Sequence, residues 1–407
     1  MHGLTWIRSK FPGVGAFRRP LVYLDNAATT QKPEFVRRVF DYVSFRLCAN
    51  PGRTSCGVAS RLEHLIDGAR RGVLESVCAT EGYECVFYKS ATEALNFVSL
   101  GALAPNSCCL VCVASHHSAL APWAARGWRL STADAAGCKL RVLALDDDLL
   151  PSVRQFLSLL TPRVSAVALT HSSNVLGALI PVKLYVNVCS PHGVRTVVDG
   201  VHAGLHHRVD VAGVGCTAYV LASHKLYAVA GAGACVGKRE FLNKLVPVVT
   251  GGGAISALDV SRRALKLMPS PHRHEAGSLL TLAPICLAQA LVWRRRLEAW
   301  ASRGVFRYLW ASVCSLACVT PVNKFFPTTW MVSFVVNAVP AGQVGEFLSK
   351  MLVCVRAGAH CALPLIAVIN KGRGVCRASI AAFNTYKDAD CLRFGLSYLC
   401  KLGAAPQ

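Results

Sequence analysis

Two residues in this sequence, a lysine and an aspartate that each close an apolar run, carry the most specific chemistry. Lys225 follows Tyr219-Val-Leu-Ala-Ser-His, and Asp199 ends Thr196-Val-Val-Asp twenty-six positions earlier. A lysine amine can hold a carbonyl cofactor as a Schiff base. A carboxylate at the end of a neighbouring buried strand can keep a pyridinium nitrogen protonated. The pair therefore points to pyridoxal phosphate.

Positioning such a pair takes a sheet buried on both faces. Short apolar runs recur at Cys85–Tyr88, Cys109–Val113, Leu140–Ala144, Ala166–Thr170, Thr196–Asp199, Tyr219–Ala222 and Ala232–Val236. They are β-branched or small and lack polar alternation, as strands covered on both faces do. Helical stretches such as Thr92–Leu103 and Pro151–Leu160 lie between them. The alternation predicts an α/β domain with a mostly parallel central sheet over residues 21–280. Gly251–Gly253 and Pro269–Pro271 read as irregular chain near its end. Beyond about residue 281 the pattern changes to longer helices, then strands near Trp330–Val336 and Leu352–Arg356, a smaller α+β domain over 281–407.

Ligands of a parallel α/β sheet bind beyond the carboxyl ends of its strands. The segment Lys89-Ser-Ala-Thr-Glu-Ala-Leu-Asn96 opens a helix at such an end, and its free N–H groups suit a phosphate. His116-His117 follow another strand, where an imidazole could stack on a cofactor ring. Asn174, after the strand Ala166–Thr170, offers an amide at the same edge.

The formal net charge is +22, with the basic residues scattered and only Arg294-Arg-Arg296 clustered. No recognition-helix, zinc-finger or RNA-binding signature accompanies them, so no nucleic-acid role is expected. The mean hydropathy of +0.39 is high, yet no run reaches the roughly 18 apolar residues that cross a bilayer, so no membrane role is expected. The 19 cysteines show no zinc spacing, so no metal is expected; they read mostly as small buried thiols of a cytoplasmic protein.

An ordered set of motifs carries a resemblance. Tyr23-Leu-Asp-Asn-Ala-Ala-Thr-Thr-Gln-Lys-Pro33, Ser173–Gly177, Val198-Asp-Gly200, Ser223-His-Lys-Leu-Tyr227, Gly251–Gly253, Glu275-Ala-Gly277, Arg356-Ala-Gly-Ala-His-Cys-Ala-Leu-Pro364 and Cys376-Arg-Ala-Ser379 span nearly the whole chain. Together they resemble a group II, SufS-type cysteine desulfurase. This is a pyridoxal-phosphate enzyme of the class V aminotransferase family, with the fold type I architecture of PLP-dependent transferases. The opening Ile7-Arg-Ser-Lys-Phe-Pro12 resembles that family's start, and implies that residues 1–20 are an N-terminal segment packed on the small domain.

The resemblance implies that Lys225 anchors the cofactor and acts as acid and base at the substrate α-carbon. It sets Asp199 on the pyridine nitrogen, His116 on the ring face, and Asn174 near the ring oxygen or substrate. Thr92 and His224 would bind the phosphate, with Ser278 reaching the partner subunit's phosphate across a homodimer interface. Arg377, with Arg356, would grip the substrate carboxylate. Cys361 would be the nucleophile; Arg356 and His360 are close to it in sequence, a setting that favours a thiolate. Departures fall around the cofactor. Ala91 stands for a threonine, Lys89 for an arginine, Ala222 for a serine, Ser223 for a glycine and His202 for a glutamine. Ser90, Ser223 and His202 could restore hydrogen-bond donors.

The activity implied is conversion of L-cysteine to L-alanine with a persulfide on Cys361. The sulfur would pass to a SufE- or SufU-like acceptor for iron–sulfur cluster assembly. A selenocysteine lyase or other β-lyase is the alternative on this fold, and a scaffold that has lost its cofactor is a second.

Overall fold

Apolar runs with no polar alternation must be covered on both faces, and here they stack side by side at the centre of the chain. The computed structural model describes residues 2–15, 21–52, 56–104, 107–125, 130–131, 140–297, 300–323 and 325–403. Of the predicted N-terminal segment, residues 1 and 16–20 lie outside the described residues.

Eight strands form the main sheet: β1 (Tyr83–Tyr88), β2 (Cys108–Cys112), β3 (Leu130–Ser131), β4 (Leu140–Leu143), β5 (Val164–Thr170), β6 (Arg195–Asp199), β7 (Ala218–Ala222) and β8 (Gly233–Lys238). Their spatial order is β1-β8-β7-β6-β5-β2-β4-β3. All neighbours are parallel except those of β8, which runs antiparallel to both β1 and β7. Two hydrophobic clusters cover the sheet. One includes Leu110, Leu169, Val198 and Leu221, the other Cys109, Ala168, Val197 and Val220. Alternate residues of one strand thus enter opposite cores, which is why these strands show no polar face.

Helix α1 (Gly57–Ser76) packs along α4 (Leu282–Arg296). Helix α2 (Ala91–Ala102) follows β1, and α3 (His117–Ala124) follows β2. The chain read as irregular around Gly251–Gly253 leads into a two-stranded hairpin, Ile255–Asp259 against Ala264–Leu267. Its side chains are mostly exposed, so no buried face marked it in the sequence.

A second sheet of four antiparallel strands lies beyond residue 318: β9 (Val319–Pro321), β10 (Met331–Val336), β11 (Arg356–Gly358) and β12 (Val375–Ser379), in the order β9-β10-β12-β11. Helix α5 (Leu363–Asn370) joins β11 to β12. A small apolar cluster of Cys112, Ala114, Val175, Leu176, Ala362, Leu365, Ile366 and Val375 seats the start of α5 against the ends of β2 and β5. Near the N-terminus, Phe11 is buried against Tyr227, Trp293 and Phe383, and Arg8 pairs with Asp388 at 2.8 Å.

Nine of the described cysteines are buried free thiols. Cys318 and Cys400 differ, forming a disulfide between the lead into β9 and the C-terminal helix. Among the described residues no helix is long and apolar enough to cross a membrane.

Candidate active site

The carboxyl ends of β1, β2, β5, β6 and β7 share one edge of the sheet, because parallel strands end on the same side. A cavity of about 420 Å³ opens there. It is lined by Lys225, Asp199, His202, His116, Asn174 and Arg377, among others.

Lys225 closes a short 3-10 turn, Ser223–Lys225, directly after β7. The carbonyl of His224 fixes this turn by accepting hydrogen bonds from the Thr29 and Thr30 hydroxyls at 3.0 and 3.1 Å. The Thr30 hydroxyl also accepts from the Tyr227 N–H at 2.9 Å. The polar run Ala-Ala-Thr-Thr is therefore a clamp on the lysine turn. Lys225 Nζ is hydrogen-bonded to His202 Nε2 at 2.8 Å. Burial, with Arg377 adding to it, pulls the Lys225 ammonium down to about 8. Burial, with Lys225 adding to it, holds His202 well below the ordinary imidazole value, so its ring is neutral.

Asp199 is buried at the end of β6, and one of its oxygens accepts from the Val201 N–H at 3.1 Å. Burial raises its pKa, opposed by that N–H and by Lys225. A carboxyl so placed gains from a cation set against it. His116 caps α3, its Nδ1 accepting from the Ser118 N–H at 3.1 Å. Burial, then Lys225, lowers it to about 4.

Phosphate chemistry gathers at the start of α2. Ser90 caps that helix, accepting from the Glu93 N–H at 3.1 Å. The N–H groups of Ala91 and Thr92 open the first turn, where no earlier helical carbonyl can take them. Lys89, Thr92, Ser118 and His224 line the cavity as well. Strand β8 crosses very close by: a Cβ at Gly233 would lie 2.2 Å from the Ser90 carbonyl carbon and 2.4 Å from the Ala91 nitrogen.

Arg377, on β12, is almost fully buried. It donates to the Asn174 carbonyl at 2.8 Å and to Asp25 Oδ1 at 3.1 Å, while its Nε has no partner. Asn174 donates to the His360 carbonyl at 2.6 Å, and its own Oδ1 is buried without a partner. Cys361 is exposed, one residue on from His360, and close enough to Arg377 for their charges to interact. Burial, with Arg377 adding to it, lowers His360 to about 3.

These residues fit pyridoxal phosphate. The set offers an amine, a buried carboxyl, an imidazole, an unpartnered amide oxygen and a helix N-terminus with a glycine-narrow approach. Among the described residues no group of three or more His, Cys, Asp and Glu side chains could hold a metal ion.

The cavity lining includes ten of the thirteen residues singled out in the sequence: Lys225, Asp199, His116, Asn174, Thr92, Ala91, His202, His224, Arg356 and Arg377. Cys361 lies beside it. Two lie elsewhere. The Ser223 hydroxyl donates to the Val229 carbonyl at 2.7 Å and accepts from the Ala232 N–H at 3.3 Å, so it is committed to folding the loop after β7. Ser278 is exposed and outside the lining within this chain. Asp25 was not singled out, and His360 was named only as a neighbour favouring a Cys361 thiolate; lowered to about 3, its neutral ring supplies no such charge. Asp25 lies just after the two-residue strand Val22–Tyr23 and touches Arg377 across more than three hundred residues, which no local pattern signals.

The Aminotransferase class-V family model matches residues 22–392. A cysteine desulfurase of Pectobacterium carotovorum is 31% identical over 410 residues, covering 97% of this chain and 98% of that protein. A probable cysteine desulfurase of Vibrio cholerae is 28% identical, covering 96% and 97%. Among solved structures, the Escherichia coli cysteine desulfurase CsdA, with an S-sulfonic acid, superposes with a TM-score of 0.85 at 27% identity, covering 98% of each chain. The apo cysteine desulfurase of Thermococcus onnurineus has the same fold, with a TM-score of 0.87 at 24% identity and 97% of each chain covered. The α/β architecture expected from the sequence is the one these structures share. The match over nearly the full length, in sequence and in three dimensions, means that this chain belongs to the class-V aminotransferase family.

Proposed function

We propose that the protein is a pyridoxal-phosphate-dependent cysteine desulfurase that converts L-cysteine to L-alanine and takes the sulfur onto Cys361 as a persulfide. One observation carries this reading: Lys225, Asp199 and Arg377 converge on a single cavity, and Cys361 stands exposed at its side. The full-length likeness to proteins named cysteine desulfurase supports it.

When bound, pyridoxal phosphate supplies the electron sink for breaking bonds at an amino acid's α- and β-carbons. Lys225 would anchor it, and its amine would move the substrate α-proton. Its ammonium is pulled down to about 8, so a useful fraction of neutral amine exists near neutral pH. Asp199 would hold the pyridine nitrogen protonated, and the neutral ring of His116 would lie against the ring face. The start of α2, with Thr92, Ala91 and His224, would hold the phosphate, while His202 and Asn174 would serve the ring oxygen. Arg377 and Arg356 take the substrate carboxylate, setting the thiol group toward Cys361. The Cys361 thiolate takes the substrate sulfur, its S–S bond forming as the Cβ–S bond breaks.

In the same reading the enzyme is a cytoplasmic homodimer of the SufS type, with Ser278 reaching the partner subunit's phosphate. A SufE- or SufU-like acceptor removes the sulfur for iron–sulfur cluster assembly.

The test is spectroscopic first. Protein reconstituted with pyridoxal phosphate should be yellow, and borohydride should bleach it; a colourless product of reconstitution would sink the reading. Cys361→Ala should keep the colour but lose alanine release from cysteine. Loss of selenocysteine turnover with cysteine turnover spared would instead assign a selenocysteine lyase.

A further inference from the structure

His117 has no part in the site described above, yet it touches the Cys361 loop twice. Its backbone N–H donates to the Cys361 carbonyl at 2.7 Å. Its ring Nε2 accepts from the Leu363 N–H at 3.0 Å. An amide N–H can only donate, so the ring is neutral here, with its proton on Nδ1. Both contacts fall on a segment held in an unfavourable conformation. His360 and Cys361 have φ values of 51° and 55°, a left-handed pair with no glycine. Two such residues in succession persist only where their surroundings over-determine them.

The surroundings on the inner side are already accounted for. The His360 carbonyl accepts from Asn174 at 2.6 Å, and its ring is hydrogen-bonded to the Val375 carbonyl at 2.9 Å. Ala362 is fully buried in the apolar cluster under α5. On the outer side Cys361 is exposed, and His117 bridges its carbonyl to the N–H of Leu363, two residues on. His116 lines the cavity, so this one dipeptide meets the cavity with its first ring and the thiol loop with its second.

We infer that His117 is a positioning residue for the sulfur-accepting thiol: its ring and backbone N–H clasp the loop from Cys361 to Leu363 and keep Sγ presented beside the cavity. This role rests on Cys361 being the sulfur acceptor; the clasp itself does not.

The experiment compares the reconstituted full chain with His117→Gln, whose side-chain oxygen can still accept at the Nε2 position, and with His117→Phe and His117→Ala, which cannot. Backbone hydrogen exchange of the peptide spanning residues 359–366 should quicken about five- to tenfold in the Phe and Ala variants, the loss expected for one hydrogen bond, and stay near wild type in the Gln variant. The cofactor's visible band should be unchanged in all of them. Alanine release should show a fall in kcat with KM for cysteine unchanged in Phe and Ala, restored by Gln. Exchange unchanged in both Phe and Ala, or a Gln variant as loose as they are, would overturn the clasp. If the wild type released no alanine, the desulfurase reading would fail while the exchange comparison still judged the clasp.

Discussion

Lys225 Nζ lies 2.8 Å from Nε2 of His202, a neutral imidazole. The contact gives the ammonium a lone pair to donate to, in a cavity where Asp199 and Asp25 favour its charge while Arg377 and Arg356 oppose it. In cofactor-free protein, only the neutral amine attacks the cofactor's aldehyde. The rate of colour formation should therefore rise with pH through a midpoint near the lysine's value of about 8. Replacing His202 by leucine removes an acceptor that stabilises the charged form. The midpoint should then fall by roughly one pH unit. A midpoint that holds or rises would exclude the imidazole as the partner that matters.

Arg377 reaches both Asn174 and Asp25 with one planar fork. A lysine at that position presents a single point of charge and cannot satisfy both while holding a substrate carboxylate. Arg377→Lys should raise KM for cysteine by about tenfold or more. A KM within about twofold of wild type would mean that the carboxylate is held elsewhere.

Gly233 has no room for a side chain against Ser90 and Ala91. The atoms it would strike are backbone, so neither side can rotate away. Gly233→Ala should push the first turn of α2 out of line and weaken pyridoxal phosphate binding by about tenfold or more. Titration of the visible band measures this, with far-ultraviolet circular dichroism checking that the fold survives. Unchanged affinity would separate that turn from the phosphate.

The contacts of Glu275 are structural. Its carboxylate pairs with the buried Arg70 guanidinium and accepts from the Phe87 N–H at 2.6 Å, joining α1, β1 and the chain before α4. Glu275→Ala strands a buried cation and should cost about 3–5 kcal/mol in urea unfolding. Glu275→Gln, which keeps an acceptor for Phe87, should cost less. Equal losses would show that the charge is not what counts.

Seven of the eight strands of the main sheet were legible because their signal is local: apolar runs, buried on both faces, carry it in four to seven residues; the two-residue β3 carries no such run and was not read. The hairpin at Ile255–Asp259 was not, since exposed strands need no apolar pattern. The disulfide between Cys318 and Cys400 joins residues 82 apart in sequence, and nothing in its spacing distinguishes it from the buried thiols around it.

The candidate site divides along the same line. The sequence by itself determined that Asp199 ends a strand, that Lys225 follows the next one and that Ser90 opens a helix, because strand ends and caps are written in adjacent residues. Only the tertiary structure decided that Asp25 meets Arg377, that the Ser223 hydroxyl turns into its own loop, and that His117 reaches Leu363. Each of those depends on how separate elements pack, and a side chain's hydrogen-bond partner is whichever group that packing brings within about 3 Å.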